Sequence, residues 1–197
     1  MRLPFLAVLL ASASLLAGCG DAGPDGPPQV AGAPYQADRR PYDEALDANA
    51  AVEAALRTAR AENKLVLVKM GGNWCPDCQV LSGMMEVDGI KALLDERYEV
   101  VKVDVGRLAP DGAYARNRDV AERFGMAGFQ GVPTLVIATP SGRVLNADEP
   151  SIFRNARDRD PQDLADYLYR YAAGTERRRG AGGGTVREDE GEGGGPA

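Results

Sequence analysis

Leu65-Val66-Leu67-Val68 is followed almost at once by Met70-Gly71-Gly72-Asn73 and then by Trp74-Cys75-Pro76-Asp77-Cys78. A continuous apolar run of this length fits a strand buried on both faces, so other elements must lie above and below it. The glycine pair turns that strand into a loop. A helix then begins at the first cysteine, because Pro76 near its first position gives up only an N–H that would have no helical partner. The chain therefore reads as α/β, with two cysteines in the first turn of a helix that leaves a central strand.

The flanking segments supply the layers. Asp43 to Lys64 carries Ala45, Leu46, Val52, Leu56 and Ala59 among charges at helical spacing, which predicts a first helix against the sheet. The cysteine helix continues through Val80, Leu81 and Met84, and Asp88 is placed to N-cap a second segment through Ile90, Leu93 and Leu94. Tyr98–Val105 and Val132–Ala138 read as strands, Asp119–Phe124 as a helix between them, and Arg143–Leu145 as a hairpin strand after Ser141-Gly142. Asp160-Pro161 opens a last amphipathic helix through Leu164, Tyr167, Leu168 and Tyr171. This order predicts a central mixed β-sheet flanked by helices on both faces. Residues 42–173 suffice for one hydrophobic core but not two.

Both ends read differently. Arg2 and the 15 apolar or small residues Leu3 to Ala17 form a stretch too short for a membrane-spanning helix, so residues 1–18 are expected to be a signal peptide. Leu16-Ala17-Gly18-Cys19 resembles the lipobox of bacterial lipoproteins, which implies that Cys19 becomes a lipidated N-terminus. The alternative is an ordinary secretory signal with a spare thiol at Cys19. Residues 19–41 hold five prolines and almost no apolar periodicity, and are expected to be a tether. Residues 174–197, with nine glycines, Arg177-Arg178-Arg179 and Glu188-Asp189-Glu190, are expected to be a disordered tail.

Composition narrows the chemistry. The chain has no histidine, which removes the usual general base and the usual zinc ligand. Its net charge of −6 argues against a nucleic-acid partner, whose phosphates need a basic face. Three cysteines, one of them at the end of the leader, cannot staple a disulfide scaffold. Without a second Cys-x-x-Cys or a histidine, Cys75 and Cys78 cannot complete a zinc shell, and the expected metal complement is none. A redox dithiol remains. At a helix start, amide groups and the positive end of the dipole favour a thiolate on Cys75, the species that attacks disulfides. Cys78, one turn on, can then attack the mixed disulfide and release the reduced substrate.

Trp74-Cys75-Pro76-Asp77-Cys78, with Gly131-Val132-Pro133-Thr134-Leu135 further along, resembles the thioredoxin family over roughly Asp43 to Ala173. The resemblance implies a thioredoxin fold, a cis Pro133 facing the dithiol, and substrate pairing at Trp74 and the backbone of Val132. The Cys-Pro-Asp-Cys pattern is similar to that of thioredoxin-related disulfide reductases. Oxidising relatives often carry a histidine where this chain has Asp77, and an anion there works against the Cys75 thiolate and toward electron donation. Asp77 as a merely solvated helix-start carboxylate is the alternative. In one position the chain departs from the family: Lys69 stands where the resemblance implies a buried acid, and Lys102 matches the family's accompanying lysine. Two cations beneath the dithiol would lower the thiol pKa values, against Asp77; otherwise Lys69 snorkels to solvent. Phe129, Gln130 and the long Gly106–Asn117 loop are expected to shape substrate choice.

The expected protein is thus a lipid-anchored, extracytoplasmic thiol-disulfide oxidoreductase facing the periplasm, acting as a disulfide reductase. Its redox group is the Cys75–Cys78 pair, without a separate cofactor. Expected partners are protein disulfides, a membrane thiol electron donor and the membrane itself through Cys19, with the chain a monomer. The rival readings are a thiol oxidase or isomerase, and a non-enzymatic module whose two thiolates bind Cu(I) or a partner protein.

Overall fold

The apolar run becomes the middle strand. In the computed structural model, which describes residues 26–126 and 131–181, the elements are α1 (Ala48–Glu62), β1 (Leu65–Gly71), α2 (Pro76–Met85), α3 (Asp88–Arg97), β2 (Tyr98–Asp104), α4 (Arg118–Arg123), β3 (Thr134–Ala138), a one-turn 3₁₀ helix (Ala156–Asp158) and α5 (Pro161–Ala181). Strand β1 lies between β2, which is parallel to it, and β3, which is antiparallel. The sheet is therefore mixed, and every residue of its central strand is buried.

Strand periodicity divides the core in two. Val66, Val68 and Met70 face one way and pack with Val52 and Leu56 of α1 and Val120 of α4. Leu65 and Leu67 face the other way and join Leu81 and Met84 of α2, Ile90 of α3 and Leu164 of α5. By the same period of two, Lys69 points with the leucines, toward α2. Helices therefore cover both faces, as the sequence pattern predicts.

Local chemistry explains the helix limits. Asp47 caps α1 by accepting from the Ala50 N–H at 3.0 Å, and Asn63 ends it in the left-handed region at φ 60°. Cys75 is itself the N-cap of α2, with Pro76 next to it at the helix start. The expected Asp88 cap is corrected: Val87 holds the cap position, and Asp88 is the first helical residue. There its carboxylate still meets the positive end of the dipole.

The expected hairpin strand is also corrected. Around Gly142 the chain turns back on β3, but the pairing reduces to one bridge between Ala138 and Val144. The reason is Asn146. Its fully buried side chain accepts from Ile137 N–H at 2.8 Å and donates to Leu135 O at 2.7 Å, occupying the β3 edge that a longer strand would need.

Residues 26–41 are not a free tether. Val30 is buried, its N–H donates to Gln162 Oε1 at 2.7 Å, and Gln162 returns a bond to Pro28 O at 3.0 Å. Farther along, Asp38 N–H donates to Gln79 O at 3.0 Å, and a Cβ at Gly83 would collide with the Gln36 carbonyl. Composition marks the stretch as proline-rich and poorly patterned, yet its backbone polar groups have specific partners on α2 and α5. Helix α5 likewise runs to Ala181, past the expected domain end at residue 173. The expected signal peptide, Cys19, the pair Phe129 and Gln130, and the expected tail beyond Ala181 lie outside the described residues.

Candidate active site

The end of β1 and the start of α2 set the dithiol. Cys75 and Cys78 are at disulfide-bonding distance, with Cα atoms 5.2 Å apart. Cys75 is 4% exposed and Cys78 is fully buried, so Cys75 is the sulfur nearer solvent. Cys75 Sγ accepts the Cys78 N–H at 3.2 Å, the bond that makes it the helix cap. This amide and the helix dipole are aimed at the one sulfur that can be approached from outside.

Facing the pair is the β3 loop. The Val132–Pro133 peptide is cis, and Val132 O lies 3.8 Å from Cys75 Sγ. Thr134 Oγ1 braces this loop by donating to Gly131 O at 2.9 Å. Trp74 stands at the entrance, its Nε1 donating to Gly106 O at 2.9 Å and its ring 5.2 Å from the Arg107 guanidinium. Beside it runs a groove of about 540 Å³ whose lining includes Arg39, Arg40, Asn73, Trp74, Arg107 and Arg116. The Gly106–Asn117 loop does contribute to that groove, through Arg107 and Arg116.

A family model described as thioredoxin-like matches residues 47–140. A disulphide isomerase from Xylella fastidiosa Temecula1 is 30% identical, with coverage of 67% of this chain and 96% of that one, and a TM-score of 0.61. The chain belongs to the thioredoxin-like family. A thioredoxin from Thermus thermophilus is also similar, at 24% identity over 60% of this chain and 81% of that one, with a TM-score of 0.42. No curated protein matches.

Within this thioredoxin-like frame, Trp74, Cys75, Pro76, Cys78, Val132 and Pro133 converge, while the charged residues depart from expectation. Asp77 is not an isolated anion. Its Oδ1 accepts from the Arg157 backbone N–H at 3.0 Å and from Arg157 Nε at 3.2 Å, so the 3₁₀ helix supplies a counter-charge. Asp77 is therefore one half of an ion pair, which weakens the pull against the Cys75 thiolate expected of a lone anion.

Lys69 does not snorkel. It is fully buried under the start of α2, donating to Cys78 O at 3.0 Å and to Ser82 Oγ, with its Nζ 4.6 Å from the Tyr42 ring centroid. Burial, followed by the charge of Lys102 opposite it in the β1–β2 register, holds its ammonium pKa well below the usual 10.5, and Asp38 opposes this weakly. The expected pair of cations under the thiols is therefore corrected: the environment pushes Lys69 toward a neutral amine, and that amine is bonded to the Cys78 backbone. Lys102 is half-buried on β2 and acts on Lys69.

The sequence pattern did not single out Tyr42, Asn73, Ser82 or Arg157. Asn73 fastens the N-terminal segment to the site by accepting from Tyr42 N–H and donating to Tyr42 O, both at 3.0 Å. The one available signal was the position of Asn73 next to Trp74, which places it at the site without saying what it holds.

Proposed function

We propose that this thioredoxin-like protein is a thiol-disulfide oxidoreductase that reduces protein disulfides. The observation that carries this reading is the Cys75–Cys78 pair at the α2 N-terminus opposite Val132 and cis Pro133. The Cys75 thiolate attacks one sulfur of a substrate disulfide, and the other substrate sulfur leaves and takes a proton. Cys78 loses its proton and attacks Cys75 Sγ, so the substrate's second thiolate departs and the Cys75–Cys78 disulfide forms. Two electrons have then passed to the substrate. An extended substrate would lie along Val132 and the Trp74 groove, whose lining carries Arg39, Arg40 and Arg107 beside an Arg116 that is ion-paired to Glu44 and Asp104.

The reductase direction rests on the Cys-Pro-Asp-Cys resemblance. The isomerase reading is favoured by one observation, the name of the 30%-identical relative, a disulphide isomerase. The pair's reduction potential separates these: a value of about −270 mV supports the reductase, one of about −180 mV supports the isomerase, and one of about −120 mV makes the protein an oxidant. Trapping tests the roles. Cys78→Ser should accumulate a mixed disulfide on Cys75, and Cys75→Ser should accumulate none; equal trapping by both variants would remove the assignment.

The same proposal places the domain outside the cytoplasm on a lipid attached at Cys19, facing the periplasm and re-reduced by a membrane thiol donor. Its support is the leader composition and Leu16-Ala17-Gly18-Cys19. Metabolic labelling with a fatty-acid analogue tests it: label lost in Cys19→Ser supports the anchor, and label retained contradicts it.

A further inference from the structure

The Tyr42 hydroxyl is the buried side-chain polar atom without a hydrogen-bond partner among the described residues. It is carried to the underside of the dithiol by the N-terminal segment, which Asn73 clamps on both sides of the Tyr42 backbone. Gly71, at the end of β1, makes its position possible. A Cβ on Gly71 would meet the Tyr42 hydroxyl and would stand 2.7 Å from Cys78 Sγ, so the hydroxyl and the resolving sulfur share the space above one glycine.

A buried hydroxyl without a partner is costly, and such a group in a folded protein calls for an explanation. Here it has one in the other redox state. In the disulfide, Cys78 Sγ is a weak acceptor tied to Cys75. On reduction the S–S bond breaks, Cys78 Sγ is freed to turn, and a sulfur bearing charge becomes a strong acceptor. The nearby Lys69 amine is already engaged by Cys78 O and Ser82 Oγ, whereas the phenol is free to donate.

We propose that Tyr42 is a positioning residue for the resolving cysteine, its hydroxyl donating a hydrogen bond to Cys78 Sγ in the reduced protein and stabilising the thiolate that attacks the mixed disulfide. No proton leaves Tyr42 in this step. Burial first, then the charges of Asp104 and Asp38, push the phenol pKa upward, so the O–H persists as a donor. The basic groups on this side are Lys69 and Lys102, on β1 and β2. The inference deepens the oxidoreductase reading and rests on it.

The test is Tyr42→Phe in the full chain, which removes one oxygen and keeps the ring under Lys69. Equilibration with glutathione should show the reduced form of the variant disfavoured roughly tenfold relative to wild type, a fall in potential of about 30 mV. Melting of each redox form gives a second readout. The oxidised variant should melt at or above wild type, because an unpartnered hydroxyl is gone, and the reduced variant below it; a merely structural role would move both forms alike. An unchanged potential, or equal shifts of the two melting points, overturns the assignment of Tyr42 while leaving the oxidoreductase reading intact. A wild-type chain whose cysteines do not equilibrate with glutathione at all overturns both.

Discussion

Lys69 is the residue whose behaviour the fold changes most. From the sequence it could be a cation under the thiols or a surface lysine, and period-two alternation on β1 decides neither, because a lysine stem is long enough to escape. Packing decides it: α2 closes over the side chain, and Cys78 O and Ser82 Oγ take its hydrogens. Its lowered pKa gives a pH prediction. Between that lowered value and the usual 10.5, the unfolded chain binds the proton that the folded chain gives up, so stability rises with pH across this window. Below it both states are protonated, and the full cost of burying the charge is present. Urea unfolding of wild type against Lys69→Met should therefore show wild type gaining on the variant as pH is raised from 7 toward 10, by at most about 1.4 kcal/mol per pH unit. A difference independent of pH would mean that Lys69 keeps its proton throughout. Asp77 gives a second prediction at this scale. Arg157→Gln removes its counter-charge, disfavours the Cys75 thiolate, and should slow alkylation of the reduced protein by iodoacetamide at neutral pH several-fold; an unchanged rate would mean that Asp77 does not reach the sulfur.

At the scale of elements, β1 and α2 were the most legible parts of the chain. A continuous apolar run, a glycine pair and a proline beside a cysteine each have one strong local reason, and the three reasons agree. Asp47 illustrates what pattern alone cannot place: acidic residues stand at Asp43 and Asp47 before α1, and only the bond to Ala50 N–H shows which one is the cap. The β3 edge was illegible for a different reason. Arg143-Val144-Leu145 has the composition of a strand, but a side chain, Asn146, provides the hydrogen bonds that a strand would have made. Gly71 yields a prediction here. Gly71→Ala brings a methyl against both Tyr42 and Cys78, and should lower the unfolding free energy by about 1–3 kcal/mol; unchanged stability would show that the space above β1 is roomier than the geometry indicates.

For the whole molecule, the expected boundary at residue 42 hid a structural role. Proline-rich sequence with few apolar side chains ordinarily cannot hold itself against a surface, yet Val30, Asp38 and the Gln162 bonds seat residues 26–41 across α2 and α5, and the segment ends by delivering Tyr42 to the dithiol. Such a seat depends on partners 41 to 134 residues away in the chain, which local pattern does not reveal. Deleting residues 26–41 should lower the unfolding free energy by about 2 kcal/mol or more, from lost burial of Val30 and lost hydrogen bonds, read as a lower urea midpoint. An unchanged midpoint would return the segment to the role of a plain tether. The family and the close pairing of Cys75 with Cys78, by contrast, were readable from two short motifs, because a Cys-x-x-Cys at a helix start brings its sulfurs together through local geometry alone.

In the proposed function, Cys75 and Cys78 carry out disulfide chemistry on other proteins rather than holding a ligand. Insulin reduction with dithiothreitol as electron source tests this most directly, with wild type and Cys75→Ser compared in the full chain. Given this function, wild type should turn over insulin, and the rate should fall to the uncatalysed one in Cys75→Ser. Turnover absent from wild type, or undiminished in the variant, would contradict it and favour a dithiol that only binds.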